Sequence, residues 1–254
     1  MAPSRPLPYQ LNSSSYADCL AGRFYITFTN AGTAPAHVAI YANAFRSDGP
    51  WQYDVPALGA VSDYFSVELF GGGKYDLDAF GPDQFVRRFA GDINTSCNQF
   101  EASCSLDPTV GEVTLGLHNS TAASVTFTVA ANAYVSGGPW NYSVSPGQTA
   151  SATFQVATNG NWYDFKATTS GDTSFLRRFA GHIQSQLPSG RPILKFAISA
   201  GTIHFTWASS SVIRLQQTTN LTAGTSWIDV PGTLGASSAD VALIGTAGYF
   251  RLGQ

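Results

Sequence analysis

Charge is scarce in this 254-residue chain: Asp, Glu, Lys and Arg together make up 11% of it, against a share of about 25% in ordinary soluble domains. Long solvent-facing helices draw on Glu and Lys, so few are expected. The net charge is −3, without the basic excess or stripe that marks a nucleic-acid partner, and no juxtamembrane basic cluster is present to attract the chain to anionic lipid. No run of about 20 apolar residues occurs, so no transmembrane span is expected. The stretch Met1-Ala-Pro-Ser-Arg-Pro-Leu-Pro8 lacks the apolar core of a secretory leader. The expectation is that a leader and an upstream region precede it in the parent polypeptide.

Catalytic signatures are lacking too. The histidines are His37, His118, His182 and His204, and none sits in an HxH or HExxH spacing. No GxSxG, Walker or dinucleotide fingerprint is present. Gly71-Gly72-Gly73 has no Lys-Ser/Thr after it and reads as a flexible loop between strands. No catalytic residue, no metal site and no cofactor is therefore assigned. The cysteines number three, Cys19, Cys97 and Cys104, so at least one is unpaired. Cys97 and Cys104 close a small loop if their Cα atoms come within about 7 Å; an extended Phe100-Glu101-Ala102 strand forbids that pairing. The spacing fits no zinc pattern.

Hydrophobic residues are plentiful at 44%, and Gly (25) and Pro (13) are common, a composition of many short strands joined by turns. An internal repeat organises them. Ala42-Asn43-Ala44-Phe45 recurs as Ala131-Asn132-Ala133-Tyr134, and Gly49-Pro50-Trp51-Gln52-Tyr53 as Gly138-Pro139-Trp140-Asn141-Tyr142. Tyr75-Asp76-Leu77 recurs as Tyr163-Asp164-Phe165, and Phe85-Val-Arg-Arg-Phe-Ala-Gly91 as Phe175-Leu-Arg-Arg-Phe-Ala-Gly181. Each unit reads as seven strands. In the first they fall near Pro8–Leu11, Phe24–Thr29, Val38–Phe45, Trp51–Val55, Val61–Leu69, Tyr75–Phe80 and Phe85–Ala90, with the period-two alternation of half-buried strands. Seven short strands in about 90 residues suggest an immunoglobulin-type sandwich, with Tyr75 and Tyr163 where a tyrosine corner would stand. The expected fold is all-β: two tandem immunoglobulin-like β-sandwiches, residues 1–96 and 97–186, then a smaller third β module, 191–254. Ser185–Arg191 reads as a linker. The module's candidate strands are Ile193–Ile198, Thr202–Trp207, Val212–Gln217, Trp227–Val230, Ala239–Leu243 and Gly248–Leu252.

The doubled Tyr-Asp…Phe-[Val/Leu]-Arg-Arg-Phe-Ala-Gly pattern resembles the tandem C-terminal domains of bacterial phosphocholine-preferring phospholipases C. The opening Arg5-Pro6-Leu7-Pro8-Tyr9 is similar to the junction that follows the catalytic domain there, and the resemblance covers about residues 5–184. The tail, with Arg214-Leu-Gln-Gln-Thr-Thr-Asn-Leu221 and Tyr249-Phe-Arg-Leu252, is similar to a C-terminal module of secreted bacterial proteins. The family's metal-dependent catalytic domain has no counterpart in these residues, so no catalytic residue carries over. The resemblance implies a secreted or periplasmic parent phospholipase C, an accessory role for this region, and two partners: an upstream catalytic domain and a phospholipid surface.

Six residues stand out as binding candidates. Arg87, Arg88, Arg177 and Arg178 form pairs on a strand, where successive side chains face opposite sides, so both members of a pair cannot enter one groove. One member is expected to meet an acid on the neighbouring strand, Asp76 or Asp78 in the first copy and Asp164 in the second, worth roughly 0.2–1 kcal/mol. The functional alternative is a phosphate contact, which guanidinium forks suit. Trp51 and Trp140 follow Gly-Pro turns and either insert at a lipid interface or cover the end of each sandwich; presence in both copies favours packing. His182 stands where the first copy has Asp92, which argues against a shared catalytic role. The Asn-x-Ser/Thr triplets at Asn12, Asn94, Asn119, Asn141 and Asn220 matter only in a eukaryotic secretory host. An independent adhesion or carbohydrate-binding array is the alternative function, and it predicts exposed aromatics in a row on one face.

Overall fold

Alternating apolar residues become strand after strand in the structure, a computed structural model that describes residues 7–184, 194–199, 201–207, 213–222, 226–242 and 248–253. The chain divides into two units, 1–186 and 187–254. The first opens with β1 (Leu11–Asp18), β2 (Arg23–Asn30), β3 (Ala36–Ala44), β4 (Trp51–Val55) and β5 (Gly59–Ser66). A helical turn α1 (Val67–Gly71) leads to β6 (Lys74–Phe80) and β7 (Val86–Asp92). After α2 (Ile93–Ser96) the pattern repeats as β8 (Phe100–Asp107), β9 (Glu112–Asn119), β10 (Val125–Ala133), β11 (Trp140–Val144), β12 (Thr149–Gln155), β13 (Trp162–Thr169) and β14 (Asp172–His182).

Three sheets build two sandwiches. A three-stranded sheet β1-β2-β5 covers one half of an eight-stranded sheet ordered β11-β10-β13-β14-β7-β6-β3-β4, and a second, β12-β9-β8, covers the other half. Phe24, Ile26 and Phe28 of β2 point into the first core with Val38, Ile40, Leu77 and Phe89. Val113, Leu115 and Leu117 of β9 do the same in the second, with Phe127, Phe165 and Phe179. The eight-stranded sheet is continuous because β7 and β14, each of which would otherwise be an open edge, pair antiparallel. Pairing removes two rows of unsatisfied backbone groups. In this register Arg88 lies opposite Arg178, Phe89 opposite Arg177, and Arg87 opposite Phe179. The equivalent strands are thus related by a local two-fold axis, which turns the second sandwich end for end relative to the first.

The structure departs from the sequence expectations at three places. The first strand runs Leu11–Asp18, not Pro8–Leu11; its Asn-Ser-Ser-Ser run conceals a strand that buries Leu11, Ser13 and Ala17. The strand expected over Val61–Leu69 stops at Ser66, and Val67–Gly71 turns into α1. Gly72 caps that turn at φ +57, a left-handed conformation open to glycine, so the glycine triplet is a held cap rather than a slack loop. Its amides bond back to Glu68 and Val67. Third, Cys97 pairs with Cys19, Cα atoms 6.1 Å apart, and not with Cys104. The latter lies within β8, buried against the second core.

The second unit holds β15 (Lys195–Ser199), β16 (Thr202–Thr206), β17 (Arg214–Thr218), β18 (Ile228–Asp229), β19 (Ser238–Ala242) and β20 (Tyr249–Gly253). They form two three-stranded sheets, β15-β16-β19 and β18-β17-β20, around Phe205, Trp207, Ile213 and Leu215. Arg5 and Pro6, the expected linker at 185–191, and the expected strand ends at Ile193, Val212 and Leu243 lie outside the described residues.

The Cys19–Cys97 bond joins the β1–β2 turn to the connection between sandwiches across 78 residues. Closing so long a loop restricts the unfolded chain. Cys19→Ser is expected to lower unfolding free energy by about 3 kcal/mol, read from urea melts. Burial pushes the Cys104 thiol up to about 11, so a thiol reagent at pH 8 is expected to find one reactive group after denaturation and none before.

Candidate functional site

The arginine pairs meet at the β7–β14 seam, where each pair splits across the sheet. Arg87 and Arg177 turn inward and are 0% and 2% exposed. Each reaches into the other sandwich. Arg87 donates through Nη1 to the Ala180 carbonyl (2.9 Å) and through Nη2 to the Tyr163 hydroxyl (3.3 Å). Arg177 donates through Nη1 to the Ala90 carbonyl (3.0 Å) and through Nη2 to the Tyr75 hydroxyl (3.2 Å). Aromatic rings line both: Phe85 lies 4.2 Å from the Arg87 guanidinium and Phe175 4.7 Å from that of Arg177. Desolvation lifts the phenols of Tyr75 and Tyr163 above their ordinary range, which keeps both neutral as acceptors.

The repeated glycine of the motif makes room for these tyrosines. A Cβ on Gly91 would stand 2.6 Å from the Tyr75 hydroxyl, and one on Gly181 3.0 Å from that of Tyr163. The two copies differ in counter-charge. Glu101 accepts from Nε and Nη2 of Arg177 at 2.8 and 3.1 Å. Burial opposes that guanidinium's charge, and Glu101 outweighs it, holding its pKa above the ordinary value. The equivalent position in the first copy is Asn12, 3.5 Å from Arg87 Nη2, and Arg87 Nε has no hydrogen-bond partner among the described residues.

Arg88 and Arg178 turn to the outer face. Arg88 forms a fork on Asp76 at 2.8 and 2.7 Å, with Asp78 at 3.8 Å; Arg178 does the same on Asp164 at 2.8 and 2.6 Å. Asn43 and Asn132 each donate to the same carboxylates. The bond to Asp76 raises the pKa of Arg88, and the bond to Asp164 that of Arg178. The outer arginines thus have the cross-strand acids, while the inner ones hold the other sandwich. All four guanidiniums are engaged within the chain.

Trp51 and Trp140 are half-buried and lie against the sandwiches, 5.0 Å from Phe65 and 4.8 Å from Phe154 between ring centroids. Arg46 lies over Trp51 at 4.5 Å and over Phe70 at 4.6 Å, held by a fork on Asp48. A row of tyrosines crosses the outer face of β1-β2-β5: Tyr16 stacks on Tyr25 at 4.6 Å, Tyr64 follows at 5.6 Å, and Arg23 covers Tyr64 at 4.1 Å. The histidines sit apart: His37 meets Asp54, His118 Thr149, His182 Asp83 and His204 Asp240. Among the described residues no group of three or more His, Cys, Asp or Glu is placed to hold a metal ion. Nor is any helix among them long and apolar enough to cross a membrane.

Two antiparallel β-sandwiches sharing one sheet, locked by exchanged arginines, define a paired β-sandwich protein. Residues 3–92 and 100–182 match the model of the bacterial phospholipase C, C-terminal domain family, and the chain belongs to that family. A non-hemolytic phospholipase C of Burkholderia pseudomallei is 36% identical over 190 residues, covering 73% of this chain and 27% of that protein. A non-hemolytic phospholipase C of Pseudomonas aeruginosa is 30% identical over 187 residues, covering 72% and 27%. A hemolytic phospholipase C of the same organism is 26% identical over 217 residues, covering 77% and 30%. The chain therefore spans less than a third of the length of these relatives. A bacterial ice-binding adhesin structure aligns over 94% of this chain and 88% of its own at TM-score 0.29 and 13% identity, too slight a likeness to carry an argument.

The seam makes unequal demands on its arginines. Arg177→Met strands a partly buried Glu101 and two acceptors, and is expected to destabilise by about 3 kcal/mol. Arg88→Met, on the outer face, is expected to change stability by no more than about 1 kcal/mol. Urea melts of the two variants beside the parent chain measure the difference.

Proposed function

We propose that this chain is a non-catalytic accessory C-terminal region of a secreted or periplasmic bacterial phospholipase C. In this reading the parent enzyme hydrolyses the phosphodiester of phospholipids, and this region supports an upstream catalytic domain or engages a lipid surface. The observation that carries the reading is coverage: the chain aligns to 27% of two phospholipases C at 36% and 30% identity. The residues so aligned fold into paired sandwiches whose repeated motif is occupied in joining them. Each sandwich is read as immunoglobulin-like, one of a tandem duplication with boundaries at 1–96 and 97–186 and a C-terminal module at 191–254. Seven strands in the same order and the division into three and four strands per half support that reading.

One observation favours the adhesion or carbohydrate-binding alternative: Tyr16, Tyr25 and Tyr64 stand in a row on one face. Ring faces are what stack on sugars, and here Tyr16 and Tyr25 face each other while Arg23 covers Tyr64. The row therefore serves the accessory reading equally well as a cross-strand ladder.

Turnover of a chromogenic phosphocholine ester decides between accessory and enzyme. The purified chain, with and without added zinc or calcium, is expected to give no hydrolysis above buffer. Metal-dependent hydrolysis would overturn the reading.

A further inference from the structure

The two sandwiches are alike in their cores and unlike at their tips. At the first tip the β1–β2 turn lies against α1: the Glu68 amide donates to the Gly22 carbonyl at 3.1 Å. Phe45 abuts Gly71, and Phe70 lies against Arg46. Apolar side chains point out of this cluster. Leu20 is fully exposed, Leu69 is 77% exposed, and Phe70 and Phe45 are 48% and 47% exposed. The equivalent positions of the second sandwich are Thr109, Thr158, Asn159 and Tyr134. Core packing does not explain apolar residues that touch so little, nor does inheritance from the duplicated motif, since the second copy lacks three of the four.

The position of this tip narrows what it meets. The unit's described chain begins at Leu7 and ends at Gln184, and the Leu7 amide donates to the Gln184 side chain at 3.1 Å. The two described ends of this unit therefore lie side by side. The apolar tip is at the far end of β1, an eight-residue strand that spans roughly 27 Å at about 3.4 Å per residue. The seam's two-fold puts the tip of the second sandwich, where Val110 and Tyr134 are the exposed apolar side chains, at the opposite end, the one near Leu7 and Gln184. Charge narrows the occupant further. Arg23, Arg46 and Lys74 at the tip are matched by Asp18, Asp48 and Glu68, so there is no basic excess for anionic lipid.

We infer that Leu20, Leu69, Phe70 and Phe45 dip into the interfacial layer of a zwitterionic phospholipid bilayer. This rests on the lipid-surface half of the function proposed above and places its contact at the tip beside Arg46 rather than at Trp51. Separate loop tips enter a bilayer one side chain at a time, whereas a protein partner needs a broad complementary surface of about 800 Å².

Sedimentation of the full chain with phosphatidylcholine vesicles tests this, beside Leu20→Asp/Leu69→Asp and the mirror control Thr109→Asp/Thr158→Asp. Neither leucine is buried, so an unchanged thermal midpoint is expected in the first variant. The parent and the mirror control are expected to pellet with vesicles, and the leucine variant to bind at least about tenfold more weakly. In parallel, the added emission of Leu20→Trp is expected to be quenched by brominated phosphatidylcholine. Equal pelleting of the leucine variant, or an unquenched tryptophan, would overturn the tip assignment while leaving lipid binding in place. A parent chain that does not pellet would overturn both. If it instead forms a dimer that Leu20→Asp/Leu69→Asp dissolves, the tip is a protein interface and the inference is overturned.

Discussion

Everything in the first unit depends on the antiparallel pairing of β7 with β14. Without it each sandwich would expose the full length of an edge strand, and edges of that kind recruit other chains. The pairing alone does not fix which residues oppose one another, since a sheet edge tolerates slippage when nothing on either face resists it. Resistance comes from the inward arginines. A shift by one residue would withdraw Arg87 from Tyr163 and Ala180 and Arg177 from Tyr75 and Ala90, and leave two buried guanidiniums short of acceptors. Buried charge without partners is among the most unfavourable arrangements in a folded chain, so the register is specified by what its loss would strand.

This accounts for a motif otherwise easy to misread. Tyr-Asp and Arg-Arg-Phe-Ala-Gly supply an inner arginine for the other sandwich, an outer arginine for the neighbouring aspartate, a phenylalanine for the core, and a glycine that clears space for the tyrosine ring. Each position has a physical duty, in the joint or in the sandwich that carries it. A pair of adjacent arginines beside aspartates suggests a phosphate site in one dimension; in three dimensions the strand separates the pair onto opposite faces and supplies each with acceptors from the chain itself.

Much of the fold was legible because alternation is a local property. Phe24-Tyr-Ile-Thr-Phe28 states which residues face inward without knowledge of the rest of the chain, and strand parity gives one arginine of the first pair either Asp76 or Asp78 as its partner. The seam was not legible, because nothing in either copy says that its last strand will pair with that of the other copy. The Cys19–Cys97 bond was missed for the same reason: its partners are far apart in sequence, and the nearer pair at Cys97 and Cys104 drew attention away. The first strand was misplaced because Asn-Ser-Ser-Ser lacks apolar contrast, although Ser13 is buried as fully as many leucines. Leu69 looked like an inward strand residue because it continues the parity of Phe65 and Val67. The strand ends at Ser66, and the helical turn α1, capped by Gly72, carries Leu69 outward.

That last reversal bears on function. What folding requires is found in both sandwiches: the Arg-Arg joint, the Trp-capped cores and the glycine clearances are present twice. What one copy has alone is free of that requirement. The first copy alone has the disulfide, the tyrosine ladder, the Arg46 brace and the apolar tip, and all but the ladder converge on one end of one sandwich. The disulfide fixes the base of the turn that carries Leu20, and Arg46 lies over both Trp51 and Phe70. An exposed leucine next to a covalent bond and a phenylalanine against a buried guanidinium have little freedom to lose, and such presentation reduces the ordering cost of binding. The joint explains why there are two sandwiches; the asymmetry explains why their ends are not interchangeable.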